Sequence, residues 1–327
     1  MKYKYVFGPV LSGRLGRSLG LDLTAATICS MDCLYCEVGR TAVLTTERKA
    51  YVPAKAILDE LAHWQEHVGL PLDAVTLGGS GEPLLNTEFG EVIRGAQRIM
   101  PSVPVAVLTN ASLLVEPEVR RELAQADIVL PSLDSLVDEE FAAVNRPAQG
   151  VTTQAVADAL LAFRSEFAGR IFLEVLLVAG VNDSEENLRR LKAFVPLLRP
   201  DRVDVVTMTR PGAYTEAKAV PRESLERWRR ELCADIMQAV GQSSSALSAN
   251  LLTKQEIQEI VQNSVRRRPQ TVAQLAQATG LSAESVREAL DILSRTGGVR
   301  TIAAPAGESG SEQASAQDGP YYSAGRR

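Results

Sequence analysis

Cys29-Ser30-Met31-Asp32-Cys33-Leu34-Tyr35-Cys36 is the stretch on which the fold of this 327-residue chain turns. Three thiols fall within it, and the fourth cysteine, Cys233, stands far along the chain. A secreted disulfide scaffold would be shorter, richer in cysteine and more evenly spaced. The N-terminus carries Lys2 and Lys4 but no apolar stretch of the signal-peptide kind. The longest apolar candidate for a membrane span, residues 171–181, is short and contains Glu174. The expectation is a cytoplasmic chain without a membrane segment, its clustered thiols reduced and available to metal. Four sulfur ligands close an ordinary zinc or iron–sulfur site. Three, with no further Cys or His nearby, leave several readings open: zinc, structural thiols, or a [4Fe–4S] cluster with one iron free for a small chelating molecule.

On both sides of this loop, short apolar runs alternate with longer helical patterns. Strands are expected at residues 18–23, 74–77, 103–108, 127–130, 171–178 and 203–208. Most are apolar at successive positions, as in parallel strands covered on both faces. Helical periodicity fills 54–67, 87–99, 116–125, 135–144, 153–167 and 185–198, the last behind the capping residues Asp183 and Ser184. Six βα units in succession imply a parallel sheet with right-handed crossovers. Their spacing suits a doubly wound sheet and an open partial barrel alike. With 45% hydrophobic and 23% charged residues, disorder throughout is excluded. The net charge of −5 argues against a chain that is basic throughout, though not against a local basic patch.

Beyond a helix expected at 222–240 the texture changes. Residues 241–248 are small and polar, as in a linker. Helical stretches follow at 252–264, 271–279 and 282–294, and the joint Thr279-Gly280-Leu281-Ser282 has the composition of a helix-turn-helix corner. Residues 299–303 and 321–323 are expected to form the two strands of a wing, with 304–319 between them disordered. The domain reading is a catalytic unit over 1–215, a connecting helix and linker over 216–248, and a winged-helix-like unit over 249–327. Residues 251–327 hold nine basic and eight acidic side chains, a weak electrostatic case for a nucleic-acid reader.

The ends of the expected strands are polar, where α/β folds place their ligands. Gly78-Gly79-Ser80-Gly81-Glu82-Pro83 follows the second strand. Its glycines permit close backbone approach, and its carboxylate suits an ammonium group. Thr109-Asn110, Ser132-Leu133-Asp134, Val181-Asn182-Asp183 and Arg210-Pro211 end the next four strands. Any one of them taken alone reads equally as a turn or a cap.

The CxxxCxxC loop, with Tyr35 before its last cysteine, resembles the signature of the radical S-adenosylmethionine superfamily. Further segments resemble its wyosine-synthase-like branch: Tyr5-Val6-Phe7-Gly8-Pro9-Val10, the glycine- and arginine-rich residues 12–20, Val107-Leu108-Thr109-Asn110-Ala111-Ser112, Val144-Asn145-Arg146-Pro147 and Gly180-Val181-Asn182-Asp183. The likeness covers roughly residues 3–215. It implies a (β/α)6 partial barrel in which Cys29, Cys33 and Cys36 ligate a [4Fe–4S] cluster whose open iron binds S-adenosylmethionine. Tyr35, Gly79, Ser80, Gly81, Glu82, Asn110, Ser132, Asp134, Asn182 and Arg210 are then the expected cofactor contacts. An electron donor such as flavodoxin or ferredoxin is the implied partner. Relatives that build a tricyclic base in transfer RNA carry extra upstream cysteines for a second cluster. No cysteine precedes Cys29 here, so that reaction does not transfer. The substrate stays open, with RNA or protein among the candidates. The alternative function is a redox-sensing regulator that binds nucleic acid through the winged helix.

Three further features carry weaker signals. His63-Trp64-Gln65-Glu66-His67 matches an inverted zinc-protease pattern, but its helix should lie outside the sheet with both histidines toward solvent. Cys233, among Leu232, Ile236 and Met237, reads as a buried free thiol. Arg14 and Arg17 suit either an anionic substrate group or a surface salt-bridging pair.

Overall fold

Six parallel strands carry the computed structural model of the chain, which describes residues 3–209, 212–233, 253–265, 269–302 and 320–324. A hairpin comes first: β1 (Val6–Ser12) turns back antiparallel into β2 (Gly16–Leu21). In the cysteine segment, the two-residue strand β3 (Ile28–Cys29) lies parallel to β4 (Val43–Leu44). Then come α1 (Ala54–His67), β5 (Ala74–Leu77), α2 (Phe89–Ile99), β6 (Val105–Thr109), α3 (Pro117–Leu123) and β7 (Ile128–Pro131). They are followed by α4 (Asp138–Asn145), α5 (Thr153–Glu166), β8 (Arg170–Leu177), α6 (Glu185–Leu198), β9 (Arg202–Thr207) and α7 (Arg222–Cys233).

The main sheet runs β1-β2-β5-β6-β7-β8-β9. From β2 onward each strand lies parallel beside its predecessor. This order separates the two architectures that spacing left open. A doubly wound sheet reverses at a switch point, and this sheet advances in one direction only. The result is a (β/α)6 partial barrel with an added antiparallel strand at one edge.

Alternation along the strands sorts their side chains. Val75, Leu77, Val107, Val129, Leu173 and Val175 join helix residues such as Ile57, Leu61 and Ile93 in the main core. Ala74, Ala106, Ile128, Leu130 and Phe172 turn the other way and form a small apolar cluster with Leu15. That cluster lies on the lumen side of the sheet. Leu15 belongs to the β1–β2 turn, where Arg14 also reaches Glu174 on β8. Arg202 of β9 donates to the Arg14 carbonyl at 3.1 Å. The hairpin turn thus bridges the seam between the first and last strands.

Several boundaries differ from the sequence reading for local reasons. The hairpin strand β1 is not expected from sequence, because Gly8-Pro9 interrupts its apolar pattern. Its start is fixed by Glu60 of α1, whose carboxylate accepts from the backbone N–H of Lys4, Tyr5 and Val6. Helix α4 begins at Asp138 rather than 135 because the Ser135 hydroxyl accepts from the Val137 N–H at 3.0 Å and holds a turn there. Helix α3 starts at Pro117, which is preorganised for the first helical position.

The C-terminal unit comprises α8 (Lys254–Ser264), α9 (Val272–Thr279), α10 (Ala283–Arg295), β10 (Val299–Ile302) and β11 (Tyr321–Ala324). The two strands pair antiparallel. Thr253 and Thr271 form capping boxes, and Gly280 takes the left-handed conformation that closes α9. Ile260, Val261, Leu275 and Val286 belong to the same core cluster as Val6 and Leu19 of the hairpin. The Ser264 hydroxyl donates to the Pro9 carbonyl at 2.9 Å. The expected linker 241–248, the wing loop 304–319, and the end of the helix beyond residue 233 lie outside the described residues.

Candidate active site

The cysteine segment leaves β2 and arches over the C-terminal ends of the strands. Its backbone folds tightly: the Cys36 N–H donates to the Cys33 carbonyl at 3.2 Å, and the Thr45 N–H to the Cys29 carbonyl at 2.9 Å. Asn110 at the end of β6 brings its amide nitrogen 3.5 Å from Cys29 Sγ, and Asn145 at the end of α4 brings its own 3.5 Å from Cys33 Sγ. Burial pushes the Cys29 thiol up to about 12, with the Glu82 charge adding to the effect. Burial also raises Cys33 well above the usual thiol range, reinforced first by Cys29, then Asp134 and Cys36. Cys36 is raised as well, chiefly by burial. The charges of the three thiols oppose one another, and each resists ionisation until a cation offsets its charge. Among the described residues, no three Cys, His, Asp or Glu side chains close to single-ion geometry. Three soft thiolate donors on one segment are the kind of ligand set an iron–sulfur group takes.

The glycine-rich loop after β5 is pressed against this segment. A Cβ on Gly81 would lie 1.8 Å from the Ile28 carbonyl oxygen, directly before Cys29. Gly79 has φ +151° and turns toward Asp22. Ser80 donates to Asp22 Oδ2 at 2.7 Å, and Asp22 also accepts from the backbone of Thr24, Ala25 and Ser80. Glu82 is buried and accepts from the Thr109 hydroxyl at 2.8 Å, the Asn110 N–H at 2.8 Å and the Leu84 N–H at 3.2 Å. Burial nevertheless raises its carboxyl from 4.5 to about 7, against the lowering effect of those bonds. A carboxylate offers about four lone-pair positions, so one remains for a further donor.

Asp134 organises the other side. Its carboxylate accepts from the Tyr35 hydroxyl at 2.5 Å, the Asn145 amide at 2.7 Å and the Leu176 N–H at 2.8 Å. Burial raises its carboxyl to about 6 in spite of the Tyr35 and Asn145 bonds. Ser132 is half-buried where β7 ends, bridging toward Glu174. Asn182, also an expected cofactor contact, has its side chain engaged within the protein. It is fully buried, its amide nitrogen donates to the carbonyls of Asp134 and Leu176, and its oxygen accepts from the Val178 N–H. With those groups engaged its side chain braces the Asp134 loop. Ser80 is likewise committed to Asp22. Arg210 lies outside the described residues.

A cavity of about 580 Å³ opens beneath the cysteine segment into the half-barrel. Tyr35, Cys36, Gly78 and Gly79 line its upper part, and Arg14, Ser18, Thr76, Glu174 and Asp204 its lower part. Gly78 leaves space there, since a Cβ would meet nothing closer than Leu108 Cβ at 3.6 Å. Arg14 pairs with Glu174 inside the lumen, whereas Arg17 is bound to Asp73 outside it. Sequence reasoning does not single out Asp22, Asn145 or Glu174 as site residues. Each is a polar residue within or beside an apolar strand or helix end, and that is the signal by which it could be found.

The remaining candidates lie elsewhere. His63 and His67 stack at 4.0 Å between ring centroids, with His63 Nδ1 2.9 Å from the Tyr3 hydroxyl. They border a separate cavity of about 180 Å³ shared with α8, so His63 is partly covered rather than facing solvent. Cys233 donates from its thiol to the Val203 carbonyl at 3.4 Å, away from the other cysteines. No helix among the described residues is long and apolar enough to cross a membrane.

Residues 23–191 match the family model described as the radical SAM superfamily. The chain belongs to the radical SAM superfamily, whose enzymes use a [4Fe–4S] cluster and S-adenosylmethionine. Within it, a UPF0026 protein of Synechocystis sp. is 35% identical over 210 residues, which is 63% of this chain and 76% of that protein. A protein of Brachyspira hyodysenteriae named GTPase Obg is 34% identical over 300 residues, covering 92% of this chain but 44% of its own length. This chain's own glycine-rich hairpin turn lacks the Gly-Lys-Ser/Thr ending of a nucleotide loop. Among solved structures, a radical SAM methyltransferase from Sphaerobacter thermophilus shares the fold, with a TM-score of 0.50 and 20% identity over 67% of this chain and 64% of that one.

Proposed function

We propose that the chain reductively cleaves S-adenosylmethionine at the mouth of the half-barrel and abstracts hydrogen from a substrate held in the lumen below. The observation that carries this reading is the convergence of three half-buried thiols, with no fourth cysteine beside them, at a cavity of about 580 Å³ that Cys36 lines. When bound, the cluster and S-adenosylmethionine supply a 5′-deoxyadenosyl radical, formed as one electron breaks a sulfonium C–S bond.

Cys29, Cys33 and Cys36 hold the cluster. The amide N–H groups of Asn110 and Asn145 stabilise negative charge on two of the sulfurs and so tune the potential. Gly79 and Gly81 let the loop backbone come close, and the free acceptor position of Glu82 takes the cofactor ammonium. Tyr35, fixed by Asp134, and Ser132 border the cofactor, while Arg14 and Glu174 meet the substrate. Asn182 and Ser80 act at one remove, through Asp134 and Asp22. A one-electron donor such as flavodoxin or ferredoxin completes the system.

The regulator alternative is the weaker reading. The exposed side of α10 carries Glu284, Glu288 and Asp291 against Arg287 and Arg295, and Lys254 is drawn to Glu288 at 2.7 Å. A nucleic-acid reader needs a basic face there. Anaerobic reconstitution with iron and sulfide, followed by dithionite and S-adenosylmethionine, should yield 5′-deoxyadenosine. A protein that takes up its full iron yet neither binds nor cleaves the cofactor would show the reading wrong.

A further inference from the structure

The outer face of the cysteine segment carries a group of residues that the reaction in the lumen does not use. Val43 and Leu44 are 48% and 46% exposed, two of the four large apolar side chains so exposed among the described residues, and the only two adjacent in sequence. They form β4, whose other edge is unpaired among the described residues, and as successive strand residues they project to its two sides, so the apolar exposure wraps that free edge. Leu44 is the register partner of Cys29, so it stands one strand spacing, about 5 Å, from a cluster ligand. Beside them, the Arg40 and Arg146 guanidiniums cover the Tyr214 ring at 4.4 Å and 4.3 Å from its centroid. The Tyr214 hydroxyl donates to Asp32, between Cys29 and Cys33, and its N–H donates to the Leu34 carbonyl at 3.2 Å. Arg146 also faces Asp32 at 3.5 Å, whereas Arg40 has no carboxylate partner among the described residues. Lys49 and Glu47 nearby offset each other at 3.6 Å.

We propose that this exposed edge, with Arg40, Val43, Leu44 and Arg146 around it, is the docking surface for an acidic one-electron carrier protein. The proposal rests on the reading of the thiols as cluster ligands. None of the four residues lines the lumen, so a molecule seated here approaches the cluster without entering the substrate cavity. That is what an electron donor must do and what a substrate cannot use. Stacking on Tyr214 holds the guanidiniums in place before the partner arrives, so little side-chain freedom is lost on docking. An arginine pair beside a small apolar centre fits a weak, transient protein contact of the electron-transfer kind. A nucleic acid fits less well: the Tyr214 faces are already covered, and two cations make no backbone-tracking stripe. In the transfer, one electron leaves the reduced carrier, which is oxidised, and enters the oxidised cluster, which is reduced; no bond or proton changes place.

The test uses the reconstituted full chain and an acidic flavodoxin. Titration of oxidised flavodoxin into the protein measures binding without turnover, at low and high salt. Flavodoxin hydroquinone and dithionite then serve as alternative reductants for 5′-deoxyadenosine formation. Arg40→Glu and Val43→Asp should each weaken flavodoxin binding at least tenfold at low salt and slow flavodoxin-driven cleavage to match. Dithionite-driven cleavage should stay within twofold of the parent, and parent binding should weaken several-fold as salt is raised. Unchanged flavodoxin affinity in both variants would overturn the proposal, as would tighter binding of a mixed-sequence RNA than of flavodoxin to the same face. Absence of dithionite-driven cleavage in the parent would instead count against the proposed chemistry, while the binding titration would still decide the surface.

Discussion

Replacing Glu82 by glutamine should alter how the stability of the cofactor-free protein depends on pH. In the unfolded chain this carboxyl releases its proton near 4.5, and in the folded chain burial delays release to about 7. Between those values the native state binds more protons than the unfolded state, so stability falls as pH rises through the window and levels off above it. Each pH unit of delay corresponds to about 1.4 kcal/mol, so the full effect is roughly 3 kcal/mol, of which about 2.5 kcal/mol falls between pH 5 and pH 8. The substituted amide cannot ionise. Its nitrogen does meet the Asn110 N–H, but that conflict costs the same at both pH values and cancels in the difference. Urea unfolding of the thiol-reduced protein at pH 5 and pH 8 measures the effect directly. The parent should lose about 2–3 kcal/mol more than Glu82→Gln over this range. If the two proteins track each other within about 0.5 kcal/mol, the buried carboxylate is not poised as its surroundings imply, and the argument from burial fails.

The same proton competes with the cofactor. If Glu82 receives the S-adenosylmethionine ammonium, affinity measured by anaerobic titration should fall about tenfold per pH unit below 7 in the parent and stay flat in Glu82→Gln. Gly81→Ala forces a methyl group onto the Ile28 carbonyl, an overpacking that costs about 1–3 kcal/mol or more; iron and sulfide analysis after reconstitution should show most of the cluster lost. Gly78→Ala, with its nearest neighbour at 3.6 Å, should keep its iron and serve as the control. Val261→Asp places a charge at a fully buried position on α8; fluorescence of Trp64, which borders the α1–α8 cavity, should show the barrel losing stability together with the C-terminal unit rather than after it.

Much of the barrel is legible in the sequence because its strands are short runs enriched in Val, Ile and Leu and its helices are periodic. Helix 54–67 matches residue for residue. The hairpin strand Val6–Ser12 is not legible, since Gly8-Pro9 reads as a turn until the partner strand and the Glu60 carboxylate are seen together. At the site, the three thiols stand out by their spacing, and the Gly81–Glu82 pair by the resemblance to the superfamily; the structure brings Glu82 and the Cys29 segment together around Asn110. What sequence cannot assign is the direction each polar strand end faces. Asn110 turns toward Cys29, while Asn182, equally polar at an equivalent strand end, turns into the protein and braces Asp134. The attachment of the C-terminal unit is hidden for a different reason: Ser264 and Pro9 meet across most of the chain, and no local pattern records a contact at that separation.

That last contact bears on how the chain comes into being. Strand β1 is an edge strand, and its exposed side is a template for unwanted pairing until something covers it. The helices that pack on it, α8 and α9, begin at Lys254, while the hairpin ends at Leu21. At about 5–20 residues per second, ribosomal synthesis of the intervening segment takes roughly 10–50 s. The parallel strands between can each be laid down beside a neighbour already made, but the first strand must wait for nearly the last helix. The newborn protein thus passes through a period in which its half-barrel is largely assembled and β1 is still unguarded, and chaperone capture or aggregation of stalled chains should concentrate at that strand.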